Sequence, residues 1–195
     1  NISPAQCVRW VEESFAMKYR ATLPPKISIH PQGDDFFNTM PALLPPEFGR
    51  FTIKEVHRIE GQVPALGSDL LLYDSTTGHL KALVDADWIT AMRTGAVVAL
   101  SFRLFAATSA RNIGFMGLGN TARASALCLL DDNRDKHFTF TLLRYKDQAE
   151  DFMRRLAGYD NVTFEIVDTA QQMLDHVQVL VSCITSAQGL ICDDD

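Results

Sequence analysis

Several things are scarce in this sequence, and each scarcity removes a class of protein. No apolar run approaches the roughly 20 residues that a bilayer-spanning helix needs, and the first residues lack the basic, apolar, small-residue order of a secretion signal. The four cysteines, Cys7, Cys128, Cys183 and Cys192, stand far apart with no CxxC pair, so a disulfide scaffold finds no support and reduced thiols are expected. Positive charge is in deficit: 18 Lys and Arg against 24 Asp and Glu leave a net charge of −6. That balance argues against nucleic acid or an anionic membrane as partner. His30, His57, His79, His137 and His176 show no metal-ligand spacing, no Ser-His-Asp arrangement stands out, and no repeat or low-complexity segment appears. The expectation is a soluble cytoplasmic protein with a small-molecule partner and no metal.

What is present is 195 residues with 47% hydrophobic content, enough for one large domain or two small ones. A helix starts where Ser3, Pro4 and Gln6 form a capping box, and Val8, Val11 and Phe15 recur at its period before Leu23-Pro24-Pro25 ends it. Extended segments are expected over 26–30, 37–43, 50–58, 69–74 and 80–85, with Ser75-Thr76-Thr77-Gly78 as a hairpin turn. Along 50–58, Phe51, Ile53, Glu55 and His57 share one face and Thr52, Lys54 and Val56 the other. A run of strands predicts an antiparallel or mixed sheet in its own domain. Asp87 reads as the N-cap of a long helix through Leu100. From Asn112 the pattern becomes βαβαβαβ: strands at 112–116, 139–143, 162–166 and 178–183, helices at 121–130, 148–156 and 170–177. This predicts an α/β chain: an α+β domain over 1–110, then a Rossmann-type parallel, doubly wound sheet over 111–195.

Gly117-Leu118-Gly119-Asn120-Thr121-Ala122 joins the first strand of that sheet to its first helix. Gly117 permits a tight turn, Gly119 lets backbone approach a pyrophosphate, and Ala122 allows helix and strand to pack closely. The helix start, through Asn120 and Thr121, offers N–H groups to phosphate. This G-x-G-x-x-A run in a βαβ context is a dinucleotide fingerprint. About 20 residues on, NAD enzymes place an acid at the second strand's tip. Here Leu143 is followed by Arg144, Tyr145 and Lys146. Arg144 and Lys146 suit a 2′-phosphate, so NAD(P) binding with NADP(H) preferred is expected; the alternative leaves both as solvated charges, with Asp147 capping the next helix.

Thr39-Met40-Pro41-Ala42, Lys54, Leu71-Leu72-Tyr73-Asp74 before Gly78, the block from Asp85 to Thr94 and the Gly117–Ala122 loop occur together in order. In these motifs the chain resembles the ornithine cyclodeaminase/μ-crystallin family over essentially its whole length, the run Thr90-Ala91-Met92-Arg93-Thr94 being the most specific. The resemblance implies a subunit that forms a homodimer through its amino-terminal domain, with a dinucleotide in the second domain and an amino or imino acid in the cleft. It implies hydride transfer at the α-carbon, with ornithine to proline plus ammonia as type reaction. It implies that Arg93 clamps the substrate carboxylate, that Lys54 is a second cation able to move a proton, and that Met40 lines an apolar wall. Thr94, Ser182 and Cys183 are implied as further cofactor contacts. Without the resemblance, Arg93 reads as a helix-surface ion pair and Lys54 as an exposed strand lysine.

Three departures accompany it. Where members carry a carboxylate-binding arginine before the first inner strand, this chain has Lys26, which keeps the charge and loses the fork. Where ornithine-using members carry an acid two residues before Met-Pro, it has Asn38. The family's general-base aspartate is expected beyond residue 195, so the chain reads as an incomplete subunit and Asp193–Asp195 as a solvated loop. Asn38 leaves an NADPH-dependent ketimine reductase or amino-acid dehydrogenase as the alternative. A μ-crystallin-like NADPH-binding protein is the non-enzymatic one.

Overall fold

The computed structural model describes residues 2–184; Cys192 and Asp193–Asp195 lie outside the described residues. By internal contacts the chain divides into two compact units, Glu12–Thr90 on one side, and residues up to Val11 with those from Ala91 onward on the other. The first helix, α1 (Pro4–Met17), opens on the expected capping box: Ser3 N–H donates to Gln6 Oε1 at 2.9 Å and Gln6 N–H to Ser3 Oγ at 3.2 Å. Cys7 and Val8 are its buried residues, while Phe15, beyond the division at Val11, is 53% exposed.

Glu12–Thr90 folds as an antiparallel meander with strands in chain order: β1 (Ile27–Ile29), β2 (Phe36–Leu43), β3 (Arg50–Arg58), β4 (Leu66–Asp74) and β5 (Leu80–Asp85). Of the antiparallel and mixed arrangements left open by the sequence, the structure adopts the first. Asp74 closes the last hairpin by accepting the Thr76 hydroxyl and the Thr76 and Thr77 N–H groups; those bonds hold its carboxyl far below the usual carboxylate range. Cross-strand pairing aligns Met40, Lys54, Leu70 and Val84 in one row, with Asn38, Val56 and Ser68 in the next row of the same face. The other face carries Ile27, Ile29, Phe37, Phe51, Ile53, Leu71 and Leu83.

Asp87 is the first residue of α2 (Asp87–Phe105), not its cap. Its Oδ1 accepts the Ser68 N–H at 2.6 Å, while Asp85 Oδ1 accepts the Asp87 N–H at 3.0 Å. The cap position is that of Ala86, whose C=O accepts the first intrahelical bond from Thr90 N–H at 2.7 Å, and Asp87, one residue inside the helix, ties the helix start to β4.

The second unit holds β6 (Asn112–Met116), α3 (Asn120–Asp132), β7 (Phe138–Leu143), α4 (Gln148–Arg155), β8 (Val162–Val167), α5 (Ala170–Leu174) and β9 (Val179–Ser182). Its sheet is parallel in the order β8-β7-β6-β9. Phe115, Phe138, Phe140 and Phe152 are buried in its core, the Phe115 and Phe140 rings 4.9 Å apart. Each such side chain contributes roughly 1.5–3 kcal/mol by leaving water. From Ala91 on, α2 also belongs to this unit. Met92, Ala96, Ala99 and Leu100 pack with Cys7, Val8, Ala124 and Cys128. Gly95 brings α2 so close to α3 that a Cβ there would lie 2.4 Å from the Ala124 carbonyl oxygen. By internal contacts the division thus falls within α2, where this close packing begins.

Candidate functional site

Two regions carry the residues singled out above, one in each unit. In the parallel-sheet unit, β6 leads to α3 through Gly117, whose φ of +77° is a left-handed conformation that favours glycine. A Cβ on Gly117 would also lie 2.7 Å from the Cys183 carbonyl oxygen, because β9 runs parallel to β6 and the Cys183 N–H donates to Met116 O at 2.7 Å. With β7 on the other flank of β6, the C-terminal ends of β6 and β9 form the point where strand order reverses. Open α/β sheets bind ligands at such a point.

Gly119 is the N-cap of α3 and offers no side-chain cap; a Cβ built on it meets nothing within 4 Å. The first turn of α3 contains no acid, so its partial positive charge is not offset there. Ala122 is fully buried in the core, as close helix–strand packing requires. Open space at Gly119, a tight turn at Gly117 and an unoffset helix start fit the pyrophosphate of a dinucleotide. Asn120 and Thr121 open the helix. Ser182 ends β9 and Cys183 follows it, the Cys183 thiol pushed up by burial. The structure therefore brings Gly117, Gly119, Asn120, Thr121, Ser182 and Cys183 to the same crest. Thr94, on α2, is half-buried.

Past the tip of β7, Arg144 Nε donates to Asp168 Oδ1 at 2.8 Å and its Nη1 to Glu150 Oε1 at 3.1 Å; these hydrogen bonds raise its pKa. Lys146 takes a left-handed φ of 53° and sets its ammonium 5.3 Å from the Tyr145 ring centre. Both cations are exposed, so Arg144's ion pairs contribute little stability and exchange readily for a stronger anion. Asp168 directly follows β8, 24 residues along the chain from Arg144, so sequence spacing carries no sign of this pair. Arg155, which donates from Nη2 to Asn120 Oδ1 at 2.9 Å, had no signal in sequence because 35 residues separate the partners.

In the meander, Met40 and Lys54 are direct cross-strand partners, both half-buried. Lys26 is exposed and immediately precedes β1, whose Ile27 pairs with Thr39. Asn38 lies one row along, opposite Ser28 and Val56, its Oδ1 buried and without a hydrogen-bond partner. Arg93 belongs to the other unit, on α2. It is exposed by surface area, yet surrounding protein desolvates its guanidinium enough to lower its pKa. Met40, Lys54 and Asn38 are thus on one sheet face, with Lys26 just before β1, and Arg93 is on a helix of the parallel-sheet unit. Among the described residues no group of His, Cys, Asp and Glu could hold a metal ion, and no helix is long and apolar enough to cross a membrane.

The sequence profile of the ornithine cyclodeaminase/mu-crystallin family matches residues 1–194. The chain belongs to that family. It is 32% identical over 100 residues to the nodulation efficiency protein NfeD of Rhizobium meliloti, covering 49% of this chain and 31% of that protein. It is 30% identical over 129 residues to the L-lysine cyclodeaminase of Streptomyces rapamycinicus, covering 66% of this chain and 34% of that one. In fold it is similar to the Thermococcus litoralis Δ1-pyrroline-2-carboxylate reductase solved with NADH and L-proline. That likeness has a TM-score of 0.80 at 22% identity and covers 93% of this chain and 58% of the reductase. The chain thus spans about a third of these curated relatives and under three fifths of this solved structure.

Proposed function

We propose that the chain forms part of an NAD(P)-dependent enzyme acting on an α-amino or α-imino acid at its α-carbon. The observation that carries this reading is the Gly117–Ala122 loop at the β6/β9 crest, in a chain of this family. We assign substrate binding and dimerisation to 1–110 and the dinucleotide to 111–195. A bound nicotinamide dinucleotide supplies the hydride acceptor or donor. Gly117, Gly119, Asn120, Thr121 and Ala122 receive its pyrophosphate, with Thr94, Ser182 and Cys183 as further contacts. Arg144 and Lys146 receive a 2′-phosphate in exchange for Arg144's bonds to Glu150 and Asp168, which favours NADP(H). Arg93 and Lys26 take the substrate carboxylate, Lys54 the carboxylate or the proton of the reacting amine, and Met40 the apolar stem.

The type reaction is cyclodeamination. Ornithine loses hydride and a proton to give the imine, its terminal amine attacks the imine carbon, ammonia leaves, and hydride returns to yield proline with no net redox change. Asn38 favours a second reading, net reduction of an imine or oxidation of an amino acid, because a neutral carboxamide holds a terminal ammonium less strongly than a carboxylate does. A μ-crystallin-like NADPH-binding role without turnover is the remaining alternative. The free thiols of Cys7, Cys128 and Cys183 support a cytoplasmic setting, burial pushing the Cys128 thiol up to about 12.

The test uses the full-length gene product with L-ornithine and sub-stoichiometric NAD+ or NADP+, followed by NMR for proline and by absorbance for reduced cofactor. Proline without net reduced cofactor establishes cyclodeamination. Its absence, with NADPH consumed by a cyclic imine or by an α-keto acid plus amine, establishes reduction. No turnover in either arm, with NADPH still bound, leaves the binding protein. NADH binding more tightly than NADPH removes the 2′-phosphate role of Arg144 and Lys146.

The apolar face of the meander supports a second copy of the chain as partner. Ile27, Ile29 and Leu83 are 59%, 63% and 68% exposed on it, beside Phe37 and Leu43. Contiguous apolar surface of this kind marks an interface. Light scattering after size exclusion is expected to give a dimer, and Ile29→Asp, on the edge strand, a folded monomer. A monomeric wild type would refute this face as the dimer interface.

A further inference from the structure

We propose that Arg155 is a positioning residue of the cofactor site, acting through Asn120; the inference rests on the dinucleotide reading above. Arg155 stands in the last turn of α4, which Ala149 and Phe152 anchor in the core, the Phe152 ring 5.6 Å from that of Phe115. From there its Nη2 donates to Oδ1 of Asn120, the first residue of α3, at 2.9 Å, and its Nη1 lies 3.7 Å from Asp151 Oδ2. A guanidinium has donors only, so the Asn120 oxygen must face it and the amide NH2 must face away. Among the described residues that NH2 has no hydrogen-bond partner.

The consequence is local to the glycine loop. Gly119 brings no side chain to the start of α3, so the Asn120 amide is the first side-chain donor beyond the open space beside Gly119. With Oδ1 committed to Arg155, the amide cannot turn its acceptor toward a phosphate, where it would repel. Arg155 thereby fixes the sign of the contact that Asn120 presents. It occupies neither the 2′-phosphate position nor the reacting centre, so its effect is on pyrophosphate affinity alone.

Titration of the full chain with NADH, ADP-ribose and adenosine tests this. ADP-ribose keeps the pyrophosphate and adenosine lacks it. Arg155→Ala is expected to weaken NADH and ADP-ribose by about tenfold, to leave adenosine unchanged, and to melt as the wild type does. Arg155→Lys, retaining a donor, is expected to recover most of the loss. In an Asn120→Ala background, Arg155→Ala should add nothing, because the two act as one unit. Equal losses for adenosine and ADP-ribose would reveal a merely structural role and overturn the proposal. Unchanged NADH affinity in Arg155→Ala, or additive losses with Asn120→Ala, would overturn it as well. A wild type that binds no NADH overturns the cofactor reading itself, a failure distinct from these.

Discussion

Alanine at Gly119 is expected to leave the thermal midpoint nearly in place while abolishing measurable NADH binding; alanine at Gly117 is expected to lower the midpoint itself. The two glycines lie two residues apart and differ in what they are for. Gly119 has an extended backbone, φ −77° and ψ −164°, and open space where its Cβ would go. A methyl there strains nothing, and the poorer N-capping of alanine costs under about 1 kcal/mol. That methyl would, however, fill the open space through which the proposed pyrophosphate reaches the start of α3. Gly117 carries a φ of +77°, and its Cβ would sit 2.7 Å from one backbone oxygen of Cys183 and 2.8 Å from the carbonyl carbon. Backbone cannot swing aside as a side chain can. Left-handed strain of about 1–3 kcal/mol and overpacking of about 1–3 kcal/mol add, and β9 must shift. For a chain of this size each kcal/mol moves the midpoint by about 2–4 °C, so the expected fall is roughly 4–24 °C. Calorimetry and NADH titration on both variants read the separation directly. A Gly119→Ala protein that binds NADH as well as wild type would refute the pyrophosphate site.

Much of this arrangement is legible in the residues, for a physical reason. Strand period alone divides Phe51, Ile53, Glu55 and His57 from Thr52, Lys54 and Val56, and β3, β5 and β6 run over the expected residues. The capping box at Ser3 and the turn at Gly117 are equally local: three or four residues contain the whole cause. What escapes is decided by distant partners. Asp87 has the chemistry of a cap, yet the N–H it satisfies belongs to Ser68, 19 residues back. The allegiance of α2 rests on one close approach, Gly95 to Ala124, and on an alanine stripe whose hydrophobic signal is weak. Arg144 reads as a free cation until Asp168 and Glu150 arrive from β8's end and α4. The orphaned oxygen of Asn38 follows from strand pairing and cannot be seen in spacing.

Arg93→Ala is expected to raise KM for any carboxylate substrate by about one to two orders of magnitude, since a hydrogen bond to a charged partner contributes about 1.5–3 kcal/mol. The same variant is expected to melt at or above the wild-type temperature. The second half follows from the sign of the shift. Desolvation lowers the pKa of Arg93, so its charged form is less favourable in the folded state than in the unfolded one. The guanidinium is charged in both states at neutral pH, and removing it therefore removes a cost to folding rather than a contribution. Among the described residues no carboxylate pairs with Arg93 to offset that cost, although Arg20, Arg103, Arg134 and Arg144 all have acidic partners. A cation kept desolvated and unpaired is suited to receive an anion from outside the chain, and a substrate carboxylate supplies one. Steady-state kinetics and a melting curve on Arg93→Ala and Arg93→Lys separate the possibilities, the lysine variant keeping charge and losing the bidentate fork. A lower midpoint with unchanged KM would make Arg93 a structural residue. A higher midpoint with raised KM would show stability given up for substrate binding.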